Sequence, residues 1–529
     1  MRLPVGIAVV ALLAAGAAGW SAVRFGIGVS PDSAHYIGAA RSLASGHGLR
    51  FNGVPFTHWP PLYSLLLAGF GGAGIDPLGG ARPLAILLYA VNAALFCCLA
   101  YRMTGGRGHA SIGAGLLFLA SPEMLHIHTM AWSEPLFLCC TFASLLLFSR
   151  WGAIGGTWRL AAAGACVAAA LLTRYAGVAL LPPFLVSIVF ARPKPCLRPV
   201  REAVGFLCIA ALPLAAWLLV LRTLAHAASD RPLAFHPPGI GAIALVAAAG
   251  VAAELARRLA GAVNDPSHGR SHPVGTRRPP DANADTVPAP IGAVPGNETC
   301  GLGAAKTVLS LWMLAFLSTY CAFVFLSICL LDALTPLDGR ILSPALLAAG
   351  LLALQWIWSH SRRDGKDSGN GASGVRPWQW LVAGGLIVAC GRGGSALSLA
   401  RQRHDTGYGY TSRAWRSSPT LAWIESLPRG ITIYSNAPDL IAFRCNRVTL
   451  PLPTKFSPTS LQPNAHLENE IDALNADLRN GALVVTFPGS PRSYLLSEHD
   501  LERACHVPQL FRFADGTVYG FPKSSVALP

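Results

Sequence analysis

Four ionisable side chains in a largely apolar chain set the chemistry to look for: Asp32, Glu134, Arg174 and Arg340. Asp32 opens the first polar loop, in Ser30-Pro31-Asp32-Ser33-Ala34-His35-Tyr36, directly after an apolar segment of membrane-spanning length. Glu134 stands in Trp132-Ser133-Glu134-Pro135-Leu136-Phe137, Arg174 in Leu172-Thr173-Arg174-Tyr175-Ala176-Gly177, and Arg340 in Asp338-Gly339-Arg340-Ile341-Leu342-Ser343-Pro344. Charged groups at the edge of hydrocarbon are costly to keep there and mark function. Guanidinium groups suit bidentate phosphate recognition, and a carboxylate beside them suits removal of a proton from a hydroxyl. Such a set fits sugar transfer from a polyprenyl-phosphate donor whose tail lies in the bilayer. The arginines would hold the phosphate and stabilise the charge developing on it. Asp32 would deprotonate the acceptor hydroxyl as it attacks, and inverts, the anomeric carbon.

Each residue also has a structural reading. Ile37, Ala40, Leu43 and Ala44 recur at helical spacing and Gly46 and Gly48 close the pattern, so Asp32 stands at a helix start. Local sequence alone favours Asp32 as the cap of that helix over a catalytic base. Pro135 makes Ser133 or Glu134 an equally good cap, and Arg174 or Arg340 could snorkel to the surface. His58 and Trp59, before Pro60-Pro61-Leu62-Tyr63, read alone as an aromatic interface anchor. The histidines at 35, 47, 58, 126 and 128 are expected to face outward. With Asp32 and Glu134 they are ligand types for a divalent metal, but no zinc-type spacing supports one, so no metal residue and no cofactor is assigned.

What must position these groups is a membrane. Of 529 residues, 52% are apolar and only 13% charged, outside the range of soluble domains. Taking about 20 apolar residues per crossing, helices are expected near 4–23, 82–103, 109–125, 134–150, 159–173, 176–191, 203–221, 240–256, 307–330, 342–359 and 378–396. The first is read as a retained signal anchor, since its length and the spans behind it do not suit a cleaved signal. With the N-terminus in the cytoplasm, about 19 Lys and Arg face inward against about 8 outward, which sets the orientation. The formal charge of +15 therefore reflects cytoplasmic loops, and nucleic-acid binding is not expected.

Residues 1–396 then form the membrane part. Within it, 24–81 is a long first outer loop whose apolar pieces, 36–44 and 62–70, are too short to span and should lie at the interface. Residues 257–306 form a cytoplasmic linker rich in Pro, Gly, Ala, Asp and Arg. Residues 397–529 read as a small outer α/β domain, with strands near 431–435, 448–452 and 483–487, helices near 411–427 and 466–479, and an Asp-Gly hairpin within 511–521. The thirteen cysteines lie mostly in apolar runs; Cys445 and Cys505 in the outer domain are the pair that export would allow to join.

At these positions the chain resembles the GT-C superfamily of integral-membrane glycosyltransferases, of the bacterial protein O-mannosyltransferase and aminoarabinose-transferase type. The resemblance lies in Asp32-Ser33-Ala34-His35-Tyr36 with Ala40, Leu43 and Gly46-His47-Gly48-Leu49; Pro60-Pro61-Leu62-Tyr63; Ser133-Glu134-Pro135-Leu136-Phe137; Thr173-Arg174-Tyr175; and Gly339-Arg340-Ile341-Leu342-Ser343-Pro344. It implies a polytopic fold with about eleven transmembrane helices, Asp32 as catalytic base, Glu134 as a second active-site acid, and Arg174 and Arg340 as donor-phosphate contacts. His35, Tyr36, His58 and Tyr175 complete the expected substrate-binding set. Ser33 stands where the protein mannosyltransferases carry a second acid, so the acceptor is open among glycan, lipid and protein. A transporter or lipid flippase is the main rival, but it predicts symmetric halves and charges near the bilayer midplane. A glycan polymerase or ligase would share the donor chemistry.

Overall fold

In lipid a backbone can satisfy its polar groups only within a helix or a closed barrel, and every long apolar run described here is a helix. The computed structural model describes residues 3–190, 197–227, 297–330, 332–366 and 377–522. In chain order the helices are α1 (Leu3–Ser21), α2 (Pro31–Ala44), α3 (Leu62–Gly72), α4 (Pro77–Met103), α5 (Gly108–Ala120), α6 (Pro122–His128), α7 (Glu134–Ile154) and α8 (Thr157–Thr173). There follow a 3-10 turn at Tyr175–Leu180, α9 (Leu181–Phe190), α10 (Leu197–Ala227), α11 (Asn297–Leu330), α12 (Gly339–Lys366) and α13 (Pro377–Thr406).

Ten of the eleven expected crossings coincide with helices; the remaining one, 240–256, and the linker stretch 257–296 lie outside the described residues. Among the described residues six helices, α1, α4, α7, α10, α11 and α12, are long and apolar enough to cross a membrane alone. The pair α5 and α6, bent by 69°, makes a seventh span if taken as one. Two boundaries differ from expectation. Helix α11 starts at Asn297, inside the expected linker, and α13 continues to Thr406, so the soluble composition begins within a helix. Buried side chains from α1, α4, α7, α8, α11 and α12, among them Phe96, Phe148, Trp151 and Phe316, form one apolar core.

The two short apolar pieces of the first loop are helices α2 and α3. Between them lies a small antiparallel hairpin, β1 (Arg50–Phe51) and β2 (Val54–Pro55). Gly38 on α2 lets the Phe51 ring pack against the helix, because a Cβ there would sit 1.9 Å from the ring.

The C-terminal region holds a five-stranded sheet, β3 (Ile433–Ser435), β4 (Leu450–Pro451), β5 (Leu483–Thr486), β6 (Gln509–Arg512) and β7 (Thr517–Tyr519), in the order β4-β3-β5-β7-β6. β3 pairs in parallel with β4 and β5, and β7 pairs antiparallel with β5 and β6. The expected helix 411–427 is split into a four-residue turn at Arg413–Arg416 and α14 (Pro419–Ser426), the expected helix 466–479 is α16 (Leu467–Arg479), and two more, α15 (Pro438–Cys445) and α17 (Glu498–Cys505), are present besides. Strand side chains alternate between faces. Ile433, Val485 and Val518 share an apolar cluster with α15 and with α2, whereas Val484 and Tyr519 share one with α16 and α17. The C-terminal sheet and the residues between α1 and α4 thus have a common core. The alternation also keeps Cys445 and Cys505 apart: both are buried free thiols, in different clusters, and do not form a disulfide.

Candidate active site

Helix α2 begins with Ser30, whose hydroxyl accepts the Ser33 N–H at 3.3 Å, and Pro31 takes the first turn. Ser30, not Asp32, is therefore the cap, which overturns the reading that local sequence favours. The Asp32 carboxylate is free of the backbone and points to Arg340, whose Nη2 donates to Asp32 Oδ2 at 2.5 Å. At the start of α7 the cap position is Ser133, but its side chain makes no capping bond; its hydroxyl lies 3.1 Å from the Tyr36 hydroxyl. Glu134 is likewise not spent on capping.

The Glu134 side chain is only 4% exposed, and one oxygen, Oε1, accepts from both arginines: Arg174 Nη1 at 2.5 Å, and Arg340 Nε. A carboxylate so desolvated is held only if paired, and two guanidinium groups pair it. Arg174, at the end of α8, is 19% exposed; it turns inward to Glu134 and does not snorkel. Arg340 sits in the first turn of α12 and bridges the two acids. The four residues, drawn from α2, α7, the α8 end and α12, form one continuous ion network. Its formal charge is balanced, two acids against two arginines.

The other expected site residues divide. Tyr36, His35 and His58 gather round Trp59, with ring centroids 5.7, 4.9 and 4.5 Å from it, on the same helix and loop as Asp32. His35 Nδ1 is also 2.9 Å from the Pro31 carbonyl. Tyr175 follows Arg174 directly but packs against the apolar core, outside the ion network. His126 and His128 are engaged elsewhere. His128 is 1% exposed, with Nδ1 2.7 Å from the Met124 carbonyl, Nε2 2.9 Å from the Asn92 amide nitrogen and its ring stacked on Tyr89. His126 faces Arg403, Nδ1 to Nη2 2.5 Å. Among the described residues no three His, Cys, Asp or Glu side chains converge on a metal-sized site.

This arrangement of helices has solved counterparts. ArnT from Cupriavidus metallidurans bound to undecaprenyl phosphate matches with a TM-score of 0.55 at 15% identity, over 98% of this chain and 99% of that one. Its apo state matches with a TM-score of 0.55 at 15% identity, over 99% and 98%. The fold is that of the GT-C membrane glycosyltransferases. The oligosaccharyltransferase AglB from Archaeoglobus fulgidus, in complex with an inhibitory peptide and a dolichol-phosphate, aligns at 15% identity with a TM-score of 0.47, over 90% of this chain and 69% of that one. No family model and no curated protein matches the chain.

Within this GT-C framework two residues escape a reading by charge and spacing. Trp132 donates from Nε1 to Ser30 Oγ at 2.7 Å and lays its ring 4.4 Å from the Arg340 guanidinium carbon. It therefore ties the Asp32 helix to the arginine that Asp32 engages, and the cation rests on its π face. Ser133 ties Tyr36 to the start of α7. The signal available for both was adjacency to Glu134.

Proposed function

We propose that the protein transfers a sugar from a polyprenyl-phosphate donor to an acceptor hydroxyl at the outer face of a bacterial cytoplasmic membrane, with inversion at the anomeric carbon. The observation that carries this reading is the four-residue network of Asp32, Glu134, Arg174 and Arg340. Scattered over the sequence, they meet in one place, and the pieces are those that transfer from a phosphate leaving group requires. The likeness to a GT-C protein bound to undecaprenyl phosphate adds support for a donor of that class.

In the free protein Arg340 is shared between the two acids. A donor phosphate competes for its Nη groups, and drawing Arg340 away leaves the Asp32 carboxylate open to the acceptor. Asp32 then takes the proton of the attacking hydroxyl while the oxygen bonds to the anomeric carbon. The bond from that carbon to the phosphate oxygen breaks, and its electron pair leaves with the polyprenyl phosphate, where Arg174 and Arg340 neutralise the charge. Glu134 stays buried and keeps both arginines in register. His35 and His58, set around Trp59, line the approach beside Asp32, and Tyr36 backs them from the buried side with its hydroxyl on Ser133.

In this reading the N-terminus is cytoplasmic and residues 397–529 lie outside. The test is lipid analysis of a deletion strain together with transfer assayed in proteoliposomes. Accumulation of a polyprenyl-phosphate sugar in the strain, and its consumption by the purified protein, are expected. An unchanged lipid-linked sugar pool with no transfer would refute the assignment.

A further inference from the structure

The outer domain carries a second candidate site, remote in sequence from the ion network. From β3 the chain passes through α15 to β4 on one side, then through α16 to β5 on the other side of β3. Helices α15 and α16 pack on opposite faces of the sheet. The strand order therefore reverses between β3 and β5, and in open α/β sheets ligands bind in the crevice outside the carboxyl ends of the strands at such a point.

A crevice of about 520 Å³ opens there. Asn436, the residue after β3, and Thr486 and Phe487, at the end of β5, contribute to its lining, with Arg492, Ser493 and Glu498 from the following loop and α17. Asn436 clamps the two strand ends together: its Oδ1 accepts the Phe487 N–H at 2.9 Å and its Nδ2 donates to the Phe487 carbonyl at 3.0 Å. The volume is within the range of small-molecule sites, roughly 300 to 1,000 Å³.

The lining decides the ligand class. Its cations are already neutralised, Lys455 by Asp500 at 3.2 Å and Arg492 by Asp439. Pro488 and Pro491 occupy the loop after β5, where a phosphate would need backbone N–H groups. What remains is the Ser493 hydroxyl and the Glu498 carboxylate beside the exposed rings of Pro488 and Pro491. That combination matches a neutral sugar, which has hydroxyl edges and apolar ring faces.

The crevice is wired to the Asp32 helix. Arg492 pairs with Asp439 Oδ1, Tyr410 donates to Asp439 Oδ2 at 2.6 Å, and the Tyr410 N–H donates to the Val29 carbonyl at 2.7 Å, one residue before the Ser30 cap. Gly409 permits this approach, since a Cβ there would lie 2.0 Å from the Val29 oxygen. We propose that the crevice between the carboxyl ends of β3 and β5 is a binding site for a neutral carbohydrate. Resting on the transferase reading above, we assign to it the glycan portion of the acceptor.

The experiment uses the full-length protein in nanodiscs, with saturation-transfer NMR on a panel of glucose, mannose, galactose, N-acetylglucosamine and lactose. Wild type should transfer saturation to at least one sugar. Ser493→Trp, at an exposed position on the crevice wall, should abolish that signal with Tm and undecaprenyl-phosphate binding unchanged. Glu498→Gln should weaken the same sugar at least 5-fold. No sugar signal in wild type, an undiminished signal in Ser493→Trp, or displacement of the sugar by inorganic phosphate would overturn the proposal. Sugar binding without undecaprenyl-phosphate binding would instead retain this site and count against the donor reading and, with it, the acceptor role.

Discussion

Arg340 Nη2 lies 2.5 Å from Asp32 Oδ2, although the two residues are 308 positions apart. The contact makes the proposed base and a proposed phosphate ligand compete for each other before substrate arrives. In the proposed reaction the donor phosphate breaks the pair and supplies Arg340 with a replacement anion. On that proposal donor binding and exposure of the base are one event, and acceptor hydroxyls are not activated at an empty site.

Because Ser30 caps α2, Asp32→Asn should leave the helix intact. Sugar transfer in proteoliposomes is expected to fall by about 10² to 10⁴-fold, the range for loss of a general base. Membrane insertion, abundance and Tm should stay near wild type. A variant that instead disappears from the membrane while any residual protein keeps full specific activity would make Asp32 structural.

Arg340 uses Nε toward Glu134 and Nη2 toward Asp32 at once, a fork that lysine cannot reproduce. Arg340→Lys keeps the charge but should raise the donor KM by about 10-fold or more, one hydrogen bond to a charged group being worth roughly 1.5–3 kcal/mol. Acceptor KM should move much less. Equal changes in both would argue against a donor-side role.

Much of this was readable in the residues. Spans of about 20 apolar residues place α1, α4 and α7 closely, because lipid leaves the backbone few alternatives. The ion network follows from the same logic, since isolated charges at a membrane edge must meet partners. What failed was local. The Ser-Pro-Asp start of α2 offers two capping side chains, and the choice of Ser30 depends on Trp132 holding its hydroxyl from another element. His128 offered a metal-ligand type by composition, yet Asn92, in the middle of α4, engages it within the bundle. Helices α15 and α17 are eight residues each, too short for a periodicity to stand out.

Burial makes the Glu134 to Arg174 pair a test of coupling. Glu134→Gln leaves Arg174 without its anion and Arg340 with Asp32 alone, and removal of one partner from a buried pair costs about 3–5 kcal/mol. Arg174→Met still leaves Glu134 one arginine, so its cost should be smaller. The double variant should be less destabilised than the two single changes added together, by about 0.5–3 kcal/mol. Thermal unfolding of the four proteins in detergent measures the cycle, and strict additivity would mean that the two groups do not stabilise each other.

Acid should act on the wall of the crevice in the C-terminal region through Asp500. This carboxylate accepts the Ser497 N–H at 2.9 Å and the Ser497 hydroxyl at 2.8 Å, and faces Lys455 Nζ at 3.2 Å. The backbone N–H foremost, then the hydroxyl and the ammonium, hold its pKa down to about 2 against an ordinary 3.8. A group depressed on folding stabilises the fold above its unfolded pKa and loses that contribution as pH falls through the folded value. Asp500 is about a third exposed, so solvent limits the effect to about 1 kcal/mol or less. Asp500→Asn should therefore lower Tm at pH 7, and the gap to wild type should shrink between about pH 4 and pH 2. Intrinsic-fluorescence melts of the full-length protein across that range give the comparison. A gap that stays constant with pH would show that the carboxylate's charge contributes nothing to the start of α17.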